Sequence, residues 1–313
     1  MNKIKEITAK NACVWPILGS VLLFIAITAV TGNFNLGVIT SCAKLCVFAL
    51  LLGLGQMIVV TSGDGAIDLS QKYILTLTAY VSCTVMAKNI VAGLIAAILV
   101  GAFCGLISSL VNVYLRVPAM ITTLATGYLF YTVILVVSSK WSSLPVKGFV
   151  NFVNKNIFGI NMMTLVCILV ALLLWFLLYR TKYGHYLHAV GQKREAARLA
   201  GINVGKTVIT AFIINGALCG LAGAMAAAYC GGANQDLGTT YFLPSVAAAF
   251  VGGTNAAGGK SSVLGVSIGA LMMTLMSTFL NAAKLDVGAQ RLIQGAFLVF
   301  LLVVAVSDAA KKK

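Results

Sequence analysis

Charge is what this sequence has least of. Of its 313 residues 9% are Asp, Glu, Lys or Arg, only seven are acidic, and the two histidines are His185 and His188. No Ser/His/Asp set, Cys/His pair or His-Glu-x-x-His motif is present, so a buried catalytic dyad has no candidates and the chain reads as a non-enzyme. The eight cysteines include no Cys-x-x-Cys and lie within or beside apolar runs, remote in sequence from both histidines. They read as packing hydrophobes, not as metal ligands or a disulfide framework. A phosphate-binding loop is missing too. AGINVGKT carries Ala200, and GGTNAAGGKS carries Thr254, where the first glycine of G-x4-G-K-[ST] is required. The chain is expected to bind no nucleotide itself, and the glycines around Gly252–Gly259 to allow a tight break between two spans.

Apolar sequence fills the space that charge leaves. The chain is 60% hydrophobic with a mean hydropathy of +1.00, more than a soluble domain of this length can bury. Ten apolar runs stand out: 14–31, 45–61, 67–87, 89–112, 117–138, 162–179, 207–230, 241–257, 262–283 and 291–307. Most are long enough to cross a hydrocarbon core of ~30 Å as helices. The expected fold is an all-α polytopic membrane protein of about ten transmembrane helices. It forms one domain over residues 1–313, with short broken or re-entrant segments near 62–72 and 231–260. If the N-terminus is cytoplasmic and all ten runs cross, the inside loops hold Lys3, Lys5, Lys10, Arg116, Arg180, Lys182, Lys193, Arg194, Arg198, Lys206, Lys260 and Lys311–Lys313. The outside loops hold Lys44, Lys88, Lys140, Lys147, Lys155, Lys284 and Arg291. This two-to-one bias puts both termini and the 180–206 loop in the cytoplasm. It also accounts for much of the net charge of +15 without nucleic acid.

Displaced by 168 residues, the sequence matches itself. Asp68-Leu69 with Tyr73, Leu75 and Ala79 aligns with Asp236-Leu237 with Tyr241, Leu243 and Ala247, and Gly55, Gly63 and Gly101 align with Gly223, Gly231 and Gly269. Under the orientation above the repeats are inverted, as in transporters that build two alternative openings around one site. Carboxylates near a membrane need a reason. Asp68, before the helix-like run Leu69–Met86, and Asp236, before Tyr241–Val251, read as helix caps or as path residues. Asp64 reads as a turn residue. The polar residues Gln56, Asn112, Asn215 and Asn281 join Asp68 as substrate-path candidates, although interhelical hydrogen bonding explains them equally well. Tyr128, Phe130 and Tyr131 have the aromatic character of a sugar-stacking wall, with core or lipid-facing roles as the alternative.

The one long polar segment is His188–Lys206. On a helical wheel Arg194, Glu195 and Arg198 share a side opposite Ala196, Leu199 and Ala200, and Gly201 supplies a stop. A short helix with a small-residue face can dock against another protein; a solvated loop lying on the membrane is the alternative.

This segment resembles the "EAA" coupling loop of ABC-transporter permeases, matched as Glu195-Ala196-Ala197 with Gly201 six residues after the glutamate. The wider resemblance is to permeases of the ribose-type monosaccharide import family, a sister group of branched-chain amino-acid permeases. It is carried by Gly65-Ala66-Ile67-Asp68-Leu69-Ser70, by Ala196–Asn203 and by AAAFVGGTNAAGGK at Ala247–Lys260. Gln71-Lys72 stand where members commonly have Val-Gly. The resemblance implies an importer subunit in the bacterial inner membrane that forms the path for a monosaccharide or related small polar solute. A second permease chain, cytoplasmic ATPase subunits holding ATP and magnesium, and an extracytoplasmic binding protein would be its partners. Gly191, Arg194, Glu195, Ala196, Ala197, Arg198 and Gly201 would meet the ATPase. An ion-coupled secondary transporter, or an ABC permease for branched-chain amino acids or nucleosides, remains open at this point.

Overall fold

The computed structural model describes residues 14–31, 36–157 and 159–310. Cys13 and the orientation markers Lys3, Lys5, Lys10 and Lys311–Lys313 lie outside the described residues. Each of the ten apolar runs folds as a helix: α1 (Val14–Thr31), α2 (Leu36–Thr61), α3 (Gln71–Met86), α4 (Ile90–Tyr114), α5 (Ala119–Ser138), α7 (Met162–Arg180), α10 (Val204–Tyr229), α11 (Thr239–Val251), α12 (Val263–Ala282) and α13 (Val287–Ala310). Between them lie three shorter helices, α6 (Lys147–Asn154), α8 (Lys182–Gln192) and α9 (Arg194–Leu199), and a two-residue hairpin of β1 (Asn156–Ile157) with β2 (Ile160–Asn161). Several starts are fixed by side chains that take an orphan N–H of the first turn. Asn89 accepts from Ala92, Asn161 from Met163, Asn203 from Lys206 and Ser262 from Gly265.

Six described helices are long and apolar enough to cross a membrane: Ser41–Thr61 of α2, and α4, α5, α7, α10 and α12. The stretches Pro16–Val30, Thr239–Val251 and Val287–Leu301 are apolar but shorter, and α3 has 16 residues. The expected count of ten is therefore narrower by these criteria. α3 and α11 are short because each begins after a break, at 62–70 and 230–238. The first break is largely buried within protein, where irregular backbone is tolerated at membrane depth. α3 starts at Gln71 and α11 at Thr239, two residues away from the starts read from the sequence.

Helix boundaries repeat with the same displacement of 168. α2 maps onto α10 at both ends, α3 and α11 share a start, α4 and α12 share an end, and α5 and α13 share a start. Two left-handed backbone positions correspond as well, Gly63 with Gly231 and Arg116 with Lys284. Packing follows the same rule: α3 lies on α10 and α4, and α11 lies on α2 and α12. The two halves thus interlock through their short helices. α2 and α10 form the centre, 78% and 67% buried over their apolar windows against 28% for α4 and 22% for α7.

The closest crossing joins α4 to α10. Gly101 and Gly105 on α4 meet Gly216 and Gly220 on α10, and a Cβ at any of the four would strike backbone of the opposite helix. Two G-x3-G faces in register let main chain touch main chain, the packing that apolar surroundings favour when no hydrophobic drive separates helix from lipid. Six of the seven described cysteines are buried and unpaired, and Cys230 is exposed; they serve as core atoms.

Candidate functional site

The polar segment His188–Lys206, expected to hold one short helix, contains the end of α8 and all of α9. Lys193 is extended, at φ −159° and ψ 107°, and separates α8 from the six-residue α9. The break turns Ala197 inward, where it is buried in a cluster with Val59, Val190, Val208 and Phe212. Gly201 closes α9 at φ +80°. Its N–H donates to Arg198 O and that of Ile202 to Ala197 O, both at 3.0 Å. This is a paired C-terminal cap with its apolar contact, Ile202 against the Ala197 cluster. Ala196, Leu199 and Ala200 face outward, and Leu199 is 91% exposed. Arg194 Nη1 pairs with Asp64 Oδ2 at 2.6 Å. Asp64 has φ 57°, so it is a turn residue that also holds α9.

Behind α9 three loops meet through glycine. Gly191, at the end of α8, packs on the Thr61 carbonyl and on the backbone of Gly259, and Gly63 lies against Gly191. Gly259 N–H donates to Thr61 O at 3.0 Å. Tyr179 donates to Ser261 O at 3.0 Å. His188 Nδ1 approaches Gly259 O at 3.3 Å, which sets the proton on Nδ1 because a carbonyl can only accept. The GGTNAAGGKS glycines, unusable as a phosphate loop, are thus required by this approach. The junction ties the end of α8 to 61–65 in one repeat and to 258–261 in the other.

Burial lowers the His188 pKa below its ordinary value, against the opposing effect of the Gly259 hydrogen bond. A depressed histidine stabilises the folded arrangement above the unfolded value, ~6.5, and loses that contribution as pH falls toward the lowered value. The 258–261 loop is therefore expected to become more open to hydrogen exchange below about pH 6.5, and His188→Gln to remove that pH dependence.

The path candidates divide into a buried group and two outliers. Asp68 is fully buried; its Oδ1 accepts from Ser70 N (2.8 Å) and Ser70 Oγ (2.5 Å), and its Oδ2 from Asn215 Nδ2 (2.6 Å). Asn215 Oδ1 accepts from Gln71 Nε2 at 2.6 Å, and the same nitrogen donates to Leu52 O at 2.9 Å. The chain Asp68–Asn215–Gln71–Leu52 links α10 to α3 and α2. Asp68 steadies the turn at Ser70 instead of an N–H inside α3. Gln56 is also fully buried, and among the described residues neither end of its amide has a partner, nor has Gln71 Oε1. Asn112 instead donates to Val117 O at 2.7 Å, and Asn281 accepts from Gln290 at 2.9 Å on an exposed surface. Neither belongs to the buried chain.

Asp236 is exposed, and its backbone carbonyl, not its carboxylate, accepts from Thr239. The carboxylate of Asp286 does cap α13, accepting from Gly288 and Ala289. Tyr128 and Tyr131 pack tilted against Tyr73, with ring centroids 5.9 and 5.4 Å away, while Phe130 is buried in the core. Lys72 Nζ lies 4.7 Å from the Tyr73 ring and 5.9 Å from that of Phe242. Gln71 and Lys72, the residues that depart from the family pattern, thus stand at the buried chain and the aromatic face. Sequence reasoning omitted Gln71 as a path residue, although a Gln-Lys pair opening an apolar run was a visible signal.

Interlocked helical repeats with broken segments and an outward-facing polar helix define a membrane transport permease. The comparisons agree. The family described as "Branched-chain amino acid transport system / permease component" matches residues 38–302, and the chain belongs to it. The D-allose transport system permease protein of Escherichia coli (strain K12) is 30% identical over 254 residues, 80% of this chain and 77% of that protein. An autoinducer 2 import system permease protein of Photorhabdus laumondii is 27% identical over 281 residues, 87% of this chain and 83% of its own length. Its counterpart in Yersinia pseudotuberculosis (strain YPIII) is 29% identical over 213 residues, 66% of this chain and 64% of its own. No solved structure matches.

Proposed function

We propose that this chain is the permease subunit of an ATP-driven ABC importer and forms, with a second permease chain, the path for a monosaccharide or related small polar solute. The observation that carries the reading is α9. Its outer face offers Ala196, Leu199 and Ala200 to a partner, while Arg194 and Ala197 fasten its inner face to Asp64 and the Val59–Phe212 cluster, and Gly191 at the end of the adjoining α8 packs on loops of both repeats. A partner that closes on ATP would pull one helix and move both halves. The helix end would face the cytoplasm and the ATPase subunits, ten helices would cross, and the two repeats would run in opposite senses, as the Lys/Arg bias suggests. An extracytoplasmic binding protein would deliver the solute. The relatives named for D-allose and autoinducer 2 support a sugar-like cargo. The unpaired amide atoms of Gln56 and Gln71 are suited to hydroxyl groups, and the Tyr73–Tyr128–Tyr131 face to a sugar ring. Here ATP acts by its partner's differential contact with two conformers.

The test uses the complex with its ATPase and binding protein in proteoliposomes and a panel of labelled monosaccharides. Glu195→Lys and Gly201→Pro are each expected to leave the permease in the membrane, with ATP hydrolysis continuing and uptake at least about ten-fold lower. Proline cannot adopt Gly201's positive φ, and it removes the N–H that caps α9, a change of ~3 kcal/mol or more inside regular helix and comparable here. Unchanged uptake in both variants overturns the reading.

A further inference from the structure

Beside the coupling helix, on the side away from Leu199, the protein holds a cleft of about 490 Å³ whose walls include Asp64, Asn112, Arg116, Arg194 and Arg198. Three arginines and a single aspartate line it. Asp64 is already engaged by Arg194 Nη1, and Arg194 Nε is buried with no partner among the described residues. Asn112 is held by Val117 O at the rim. Two long helices begin at the cleft, α5 at Ala119 and α10 at Val204–Gly205, so their positive ends add to the same field. The excess of positive charge calls for an anion with several acceptor oxygens, and a phosphate diester answers that description.

The cleft opens where α4 ends and α5 begins, both of them helices long and apolar enough to cross a membrane. Around it Tyr114, Leu115 and Ile121 are 73%, 67% and 60% exposed. A free phosphate has no use for such a rim, whereas acyl chains do. We propose that the cleft binds the headgroup of an anionic phospholipid, with Arg116, Arg194 and Arg198 on the phosphate and the acyl chains on the α4–α5 surface. A lipid held there touches α9 directly through two of its arginines, so the composition of the membrane acts on the coupling helix. The site needs neither ATP nor a transported solute, and so stands or falls apart from the importer reading.

The experiment is native mass spectrometry of the purified full chain exchanged into mixed micelles of phosphatidylglycerol and phosphatidylcholine. One phosphatidylglycerol per chain is expected to be retained in preference to phosphatidylcholine. Arg116→Gln is expected to lower its retention about five-fold, the factor that ~1 kcal/mol per basic residue near a lipid surface represents. Arg116→Gln with Arg198→Gln should lower it more than ten-fold, and Arg116→Lys should keep most of it. Equal retention of the two lipids by the wild-type protein overturns the proposal without any variant having to fold. Equal phosphatidylglycerol retention by wild type and the double variant also overturns it, as does displacement of the lipid by millimolar inorganic phosphate, which would make the ligand a free anion.

Discussion

Gly191→Ala is expected to abolish ATP-driven uptake while the protein still reaches the membrane. A methyl group at 191 would lie inside the contact distance of two main chains at once, at the Thr61 carbonyl and at Gly259. Neither can swing aside as a side chain would. Overpacking of a well-filled site costs ~1–3 kcal/mol, and more where backbone must shift. The relief available is to separate α8 from one or both loops, and that severs α8 and α9 from the repeats. Gly295→Ala is the control, because nothing lies within 4 Å of a Cβ there, and it should transport normally. The measurement is uptake in proteoliposomes at matched protein, with size-exclusion profiles to show that both variants are folded. Full uptake by Gly191→Ala would mean that the glycine junction transmits nothing.

The second large effect belongs to the buried chain. Asp68→Ala would leave Ser70 N, Ser70 Oγ and Asn215 Nδ2 without their acceptor in a fully buried setting. At ~1–3 kcal/mol for each unsatisfied buried group the loss should reach several kcal/mol. A milder pair gives the sharper test. Asp68→Asn sets its amide against the amide of Asn215, so the single change should destabilise strongly or force a flip that loses Ser70. Adding Asn215→Asp restores donor to acceptor at position 215 and still leaves an acceptor for Gln71 Nε2. The exchanged pair is therefore expected to recover most of the stability lost by Asp68→Asn, read as the temperature at which the solubilised protein leaves its monodisperse peak. Additive losses would show that the two residues do not act as a pair.

The ten apolar runs were legible because lipid-facing helices need long, nearly uncharged sequence, a coarse signal that survives local ambiguity. The repeat was legible in one polar coincidence, Asp-Leu-x3-Tyr-x-Leu, and the helix boundaries extend it far beyond what Gly and Ala identities could argue. Polar residues inside runs were less informative. Asn112 and Asn281 sit near helix ends and bond to Val117 O and Gln290, whereas Asn215 sits mid-helix and faces Asp68. Composition alone does not tell a neighbour from a terminus. The break at Lys193 carries no glycine or proline to announce it; burial of Ala197 on one side and Gly191 on the other imposes it. The close approach at Gly191 was not legible, because what it must avoid lies more than 60 positions away in the chain, at Gly259.

The glycine crossing of α4 and α10 makes two equivalent crossings of the repeats mechanically unequal. Its counterpart by the repeat is the contact of α12 with α2, and there Gly53 meets the Val266 side chain. Side chains can change rotamer and let two helices shear past one another; main chain pressed on main chain cannot. One crossing is therefore stiff, and its counterpart is the more compliant of the two. Any rearrangement that opens and closes the protein should take up its strain at α2 and α12, with α4 and α10 travelling as a single strut.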